Sequence, residues 1–179
     1  MIDLETKIKM IPFDKFYLEA TFQFMLMMEL TSLFCKKQIM PEFNIEHYGL
    51  KVSDFVKKEI DIVIEQENND NIAIELKMPM NGQVPEQMFS FIKDICFLEQ
   101  LKKSGEFPNC FFIAVTNDKK FWEGREQNGI YQYFRDGKEL TGNFEKPTGE
   151  NKYPLTLKGK YKVEWKILND DFKYFIIEV

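Results

Sequence analysis

Two runs of strict alternation, joined by a short polar turn, constrain this chain more than any other feature. In Glu59–Gln66 (EIDIVIEQ), Ile60, Ile62 and Ile64 fall on one side, with Asp61 and Val63 on the other. After Asn68-Asn69-Asp70 the pattern repeats in Asn71–Lys77 (NIAIELK), where Ile72, Ile74 and Leu76 oppose Ala73, Glu75 and Lys77. A period of two belongs to a pleated strand, and an asparagine-rich turn closes a hairpin. A fold that buries the isoleucines must therefore turn Asp61, Glu75 and Lys77 to the opposite face. Glu75 and Lys77 then project the same way, about 7 Å apart along their strand.

The flanking segments predict what surrounds this hairpin. From Asp14 to Lys37 apolar residues recur at helical spacing without Gly or Pro, with Asp14 as N-cap after Pro12 and Lys36 and Lys37 where a helix dipole favours cations. Glu42–Tyr48 alternates and ends at Gly49, which reads as a first strand. Beyond a loop turning at Asn81-Gly82, Pro85 suits the first helical position, and Val84, Met88, Ile92, Ile95, Leu98 and Leu101 form a stripe that stops at Gly105. Cys110–Thr116 is nearly all apolar, as in a buried central strand, and a helix between two strands fits a parallel crossover.

After Asp118 the pattern is less regular. Ile130–Phe134, Asp136-Gly137 and Glu139–Asn143 suggest one hairpin; Lys160–Leu168 and Phe172–Val179, around Asn169-Asp170-Asp171, suggest another. The stretch from Gly142 to Pro154 reads as a loop. The expected architecture is a single α/β domain over 1–179, with an αβββαβ core in 14–117, a mixed sheet flanked by helices, and a β-rich extension over 118–179.

Composition narrows the function. At 179 residues the chain is long enough for one sizeable core, and 18 Phe promise a well-filled one. Twenty-four basic against 29 acidic residues give a net charge of −5, which argues against a nonspecific nucleic-acid binder but not against a local lysine patch. Lys93, Lys102, Lys103, Lys119 and Lys120 are candidates for such a track, although charge runs are usually solvated surface. Cys35, Cys96 and Cys110 are odd in number and widely spaced, and His47 is the only histidine, so neither a disulfide framework nor a His/Cys metal site is expected. Reduced thiols, an acidic N-terminal segment and no bilayer-length apolar run predict a cytoplasmic protein without membrane partners.

Two carboxylates on adjoining strands repel each other unless a cation sits between them, and a hard divalent ion such as Mg²⁺ is the natural guest for oxygen ligands. An amine beside it would orient water and offset the charge of a phosphoryl transition state. These are the parts that phosphodiester hydrolysis requires.

Ile60-Asp61-Ile62-Val63-Ile64 together with Ile72-Ala73-Ile74-Glu75-Leu76-Lys77 resembles the PD-(D/E)XK nuclease superfamily, to which many restriction endonucleases belong, and the order of elements from Asp14 to Thr116 is similar to that superfamily's core. Ile60 stands where the family has Pro. More loosely, Glu19–Gln23, the IELK run, Asp94–Glu99, Thr116–Asp118 and Phe121-Trp122 are similar to a bacterial group within it, for which no substrate is named. The resemblance implies a restriction-endonuclease-like fold and a metal-dependent DNA endonuclease of restriction or defence type, with Asp61, Glu75 and the Leu76 carbonyl on Mg²⁺ (or Mn²⁺) and Lys77 on the attacking water. It also implies a helix carboxylate in the metal shell, for which Glu19, sharing a face with Gln23, leads over Glu29 and Glu46. Gln87 resembles a helix glutamine of some members, but Phe91 replaces the tyrosine of their Q-x-x-x-Y pairing.

Charged residues alternating along a strand are most often solvated surface. The rival expectation is therefore a nuclease-fold module that binds or assembles without cutting; a homodimer through the β-rich tail suits both readings. Asp94 and Glu99 are read as structural or solvated, and Trp122, Trp165 and His47 as structural.

Overall fold

The isoleucine faces of the hairpin decide the layering. In a computed structural model that describes residues 2–15, 18–34, 39–79, 83–147 and 154–179, β2 (Glu59–Ile64) and β3 (Ile72–Lys77) pair antiparallel, with Ile62 opposite Ile74 and Ile64 opposite Ile72. Asn68 and Asn69 adopt left-handed backbone at the connecting turn (φ 62° and 58°), a conformation Asn tolerates better than most residues. On one side, Ile62, Ile64, Ile72, Ile74 and Leu76 pack beneath α1 (Leu4–Lys9) and α2 (Glu19–Thr31). On the other, Val63 and Ala73 are joined by Ile60, which its spacing assigns to the face of Ile62 and Ile64, in the core built around α3 (Val84–Ser104).

That helix is the crossover. It opens with Pro85 in its first turn and ends at Gly105, whose φ of 87° is a left-handed cap, and it returns the chain to β4 (Asn109–Thr116), parallel to β3. β1 (Ile39–Asn44) lies antiparallel outside β2. It is an edge strand, which accommodates Pro41, and Glu42 beside it has φ 48°.

The remaining elements are α4 (Tyr131–Arg135), β5 (Leu140–Phe144), β6 (Leu155–Tyr161), β7 (Lys166–Ile167) and β8 (Lys173–Glu178). β8 joins the main sheet antiparallel to β4, giving the order β1-β2-β3-β4-β8-β7, while β5 and β6 form a separate two-stranded sheet that contacts α3 through β6. The fold is thus mixed α/β, with a mixed sheet flanked by helices. No helix among the described residues is long and apolar enough to cross a membrane.

Several elements depart from the sequence reading. The first long helix starts at Glu19, because Asp14 lies in a separate 3-10 turn (Phe13–Lys15) and the Leu18 carbonyl receives the first helical N–H groups. It stops at Thr31, where the hydroxyls of Thr31 and Ser32 turn back onto the carbonyls of Met28 and Glu29. Cys35, Lys36, Lys37, the Asn81-Gly82 turn and 148–153 lie outside the described residues. The first strand ends early because the Asn44 side chain caps a 3-10 turn over Ile45–Tyr48. Tyr131–Arg135 is helix rather than strand: Phe134 turns inward, and the Arg135 guanidinium sits over the Tyr131 ring four residues back, 4.0 Å from its centroid. The long alternating stretch before Leu168 is split into β6 and β7, with Trp165 between them packed edge-on to Phe175 at 4.8 Å.

Phe91 anchors the α3 core, with its ring 5.6–6.1 Å from those of Phe112, Phe121, Phe134 and Phe175. Removing such a ring leaves a cavity as well as lost burial, so Phe91→Ala should cost about 3–5 kcal/mol in urea unfolding. Exposed Phe24→Ala on α2 should stay within about 0.5 kcal/mol of wild type.

Candidate active site

β2 and β3 pair through Ile62, Val63 and Ile64 and then separate. Continuing their register would set Leu76 opposite Ile60. Instead the Leu76 N–H donates to the Asp61 carboxylate at 2.7 Å, and the side chain fills the opening between the strands.

Glu75, opposite Asp61 in that register, is fully buried and accepts a short hydrogen bond from the Lys57 ammonium. The same ammonium lies 3.8 Å from Asp61 Oδ1 and 3.2 Å from Asp94 Oδ1. Lys77 bridges the other way: its Nζ donates to the Leu76 carbonyl at 3.0 Å and lies 3.2 Å from Asp94 Oδ2 and 3.3 Å from Glu19 Oε1. Glu19, at the first residue of α2, also accepts from the Met78 N–H at 2.7 Å. Gln23, one turn on, donates to the Asp61 carbonyl at 2.5 Å and to Glu42 at 3.0 Å. A cavity of about 150 Å³ opens here, lined by Glu19, Ala20, Gln23, Glu42, Asp61 and Leu76.

Asp61, Glu75, Lys77 and Glu19, with Gln23 beside them, thus lie in one linked cluster. Gln87 does not join it. It lines a groove of about 710 Å³ with Val56, Phe89, Lys93 and Leu155, and no hydrogen bond or ion pair ties it to the cluster. Glu29 faces Lys7 at 4.0 Å, and Glu46 lies in the 3-10 turn after β1, so of these three acids Glu19 is the one that contacts the cluster. Glu99 accepts from the Lys158 and Gly159 N–H groups and the Tyr161 hydroxyl, a structural role as expected. A larger cleft of about 770 Å³ beside α1, lined by Ile2, Thr6, Ile72 and Phe111 among others, contains none of these candidates.

Two members of the cluster were not among the expected site residues: Asp94, read from the sequence as structural or solvated, and Lys57. Asp94 is 2 % exposed and touches both lysines. Its signal was available: it lies three residues after Phe91 and four before Leu98, on the buried stripe of α3, where an acid has to find partners. Lys57 had no such signal, because it comes from an irregular segment between Val52 and Glu59. That segment is held by the Val56 N–H donating to Gln100 at 2.9 Å, by Phe55 edge-on to Phe97 at 6.1 Å, and by Lys57 lying 5.6 Å from the Phe97 ring centroid.

Charge is the governing quantity. Four acidic side chains (Glu19, Asp61, Glu75 and Asp94) face two ammonium groups, so full ionisation leaves two excess negative charges. Burial raises the pKa of Glu75 well above its ordinary value, Asp61 and Asp94 push it further, and Lys57 opposes them. Burial likewise raises Asp61 and Asp94 against the pull of both lysines. For Lys57 and Lys77 burial acts downward, but the surrounding carboxylates outweigh it and hold both above the usual lysine range. The excess is relieved by protons on the acids or by a divalent cation.

All the donors are oxygens, which suits a hard ion, and Glu75 Oε1 is buried without a hydrogen-bond partner. Among the described residues no three Asp, Glu, His or Cys side chains converge as a ready cage. The donor set fits a divalent ion in its chemistry.

An acid whose pKa is raised on folding stabilises the fold below its unfolded value and loses that contribution as pH climbs through the folded one. Chelator-treated protein should accordingly be more stable near pH 5 than near pH 8, and Glu75→Gln should reduce the difference, as read from urea midpoints. Glu5, lowered to about 2 by Lys166 and Lys9, acts only below its ordinary value of 4.5 and does not enter this window. No family model, curated protein or solved structure matches this chain.

Proposed function

We propose that this protein is a divalent-metal-dependent hydrolase of nucleic-acid phosphodiesters, acting on DNA in preference to RNA and built on a restriction-endonuclease-like core. The observation that carries the reading is that Asp61 and Glu75, from neighbouring diverging strands, face a single cation, the Lys57 ammonium, inside a buried cluster. Lys77 lies two positions along the strand from Glu75. Carboxylates concentrated away from water in this way are costly to a fold and are kept where charge is put to use.

In this reading Asp61, Glu75 and the Leu76 carbonyl hold Mg²⁺ or Mn²⁺, which would polarise a phosphoryl oxygen and make bound water more acidic. Asp61 is fixed for that role by the Leu76 N–H. Lys77 remains an ammonium under the influence of Asp94, Glu19 and Asp61. Its part is to donate hydrogen bonds to water or to a non-bridging phosphate oxygen, rather than to remove a proton. Asp94 and Glu19 aim that ammonium, and Gln23 steadies the strand by bonding the Asp61 carbonyl. A defence role of restriction type is consistent with this chemistry.

The binding-module alternative draws on a specific observation as well: Glu75 is fully buried and already satisfied on one oxygen by Lys57. Metal-dependent cleavage separates the two. Purified protein with Mn²⁺ should nick or cut members of a DNA and RNA panel, and Asp61→Ala and Glu75→Ala should abolish both cleavage and Mn²⁺-dependent thermal stabilisation. Lys77→Met should lose about 10²–10³-fold in rate while remaining folded by circular dichroism. Glu19→Gln, acting through Lys77 and Met78, should lose about 10–100-fold. A wild-type protein that leaves the whole panel intact would decide for the module.

A further inference from the structure

The cation shared by Asp61 and Glu75 is a side chain of the protein itself. Lys57 Nζ donates to Glu75 and lies 3.8 Å from Asp61 and 3.2 Å from Asp94. No other ammonium among the described residues contacts both Asp61 and Glu75: Lys77 pairs with Asp94 and Glu19 and caps the Leu76 carbonyl. We propose that Lys57 is an internal counter-ion that occupies the metal position of the resting protein and is displaced when a divalent cation binds. This rests on the assignment of Asp61 and Glu75 as metal ligands.

Three features make displacement feasible. The four-carbon stem of Lys57 rises from an irregular segment rather than a strand, so its head group swings without breaking the sheet. Its side chain retains 20 % exposure, whereas Glu75 has none, so the lysine is the partner with a path to water. Lys77 does not have to move with it, because Asp94 stays beside it. Exchange also corrects the charge. Withdrawing one ammonium and admitting a divalent ion raises the positive charge facing the four acids from two to three. Lys57 thereby keeps the acids apart and partly neutralised until the ion arrives, and it weakens ion binding by the fraction of time it holds the position.

That competition has a measurable size. Ion affinity is reduced by the fraction of molecules whose site is open, so a lysine seated in nine-tenths to ninety-nine hundredths of them lowers it by about 10- to 100-fold. Lys57→Met should therefore bind Mn²⁺ about 10- to 100-fold more tightly than wild type by isothermal titration calorimetry. Lys57→Arg, which keeps the charge, should bind no more tightly than wild type. Removing the lysine leaves buried acids unpaired, so Lys57→Gln, compared with Lys57→Arg, serves if the Met variant does not fold without metal. A second readout needs no variant: on wild-type protein, acetylation of Lys57 followed by mass spectrometry should be slow in chelator and accelerate when Mn²⁺ is added. Tight Mn²⁺ binding by Lys57→Met or Lys57→Gln with none by wild type would support the proposal in its strongest form. Equal Mn²⁺ affinity in all variants with unchanged Lys57 acetylation would overturn it and leave the metal site standing. If neither wild type nor any variant bound Mn²⁺, the metal assignment would fall and the proposal with it.

Discussion

The 2.7 Å hydrogen bond from the Leu76 N–H to the Asp61 carboxylate lets two paired strands part without leaving a buried donor unsatisfied. An open sheet interior is ordinarily costly, since a stranded backbone N–H forfeits its bond to water and gains nothing in return. Here a side chain supplies the missing acceptor, and the same Asp61 carboxylate belongs to a cluster with two lysines and three further acids. The Glu19–Met78 contact repeats the device one step along, with a helix carboxylate accepting a strand N–H as β3 ends. The pocket is therefore a consequence of how the hairpin terminates.

Electrostatics and packing are coupled through α3. One face of this helix carries Phe91, Ile95 and Leu98 into the aromatic core, and the same face carries Asp94 to both ammonium groups. A helix set in place by ring stacking thus also fixes the counter-charge for Lys57 and Lys77. Changes that loosen the ring cluster would be felt at the site through Asp94, even though none of those rings touches a charged group of the cluster other than Phe97 beneath Lys57.

The two strands bearing Asp61, Glu75 and Lys77 were legible from period two, which survives where one face is buried but fails at Ile60, packed with Val63 rather than with Ile62 and Ile64. The crossover helix was equally legible, bounded by Pro85 and Gly105. What was lost obeys local rules that alternation does not report. Ile130–Phe134 carries apolar and aromatic residues compatible with either period, and the helix was selected by burial of Phe134 and stacking of Arg135 on Tyr131. Asn44 ended the first strand by capping, a side-chain event rather than a pattern. Of the site, the strand residues and Glu19 were accessible from spacing, and Asp94 was accessible in principle as an acid on an apolar stripe. Lys57 was not, because an irregular segment has no periodicity from which to tell where a side chain points.

The two margins of the main sheet differ in how they are closed. At one, Pro41 withholds an amide hydrogen and Glu42, at φ 48°, turns the backbone out of the pleat; at the other, β7 is only two residues long. The first therefore lacks the continuous ladder of free donors and acceptors on which a foreign strand extends a sheet, whereas β7 covers only Lys173 and Tyr174 and leaves the rest of β8 without a strand partner on that side among the described residues. The β1 margin is in this way guarded against edgewise polymerisation, in a fold rich in isoleucine and phenylalanine strands that would otherwise invite it.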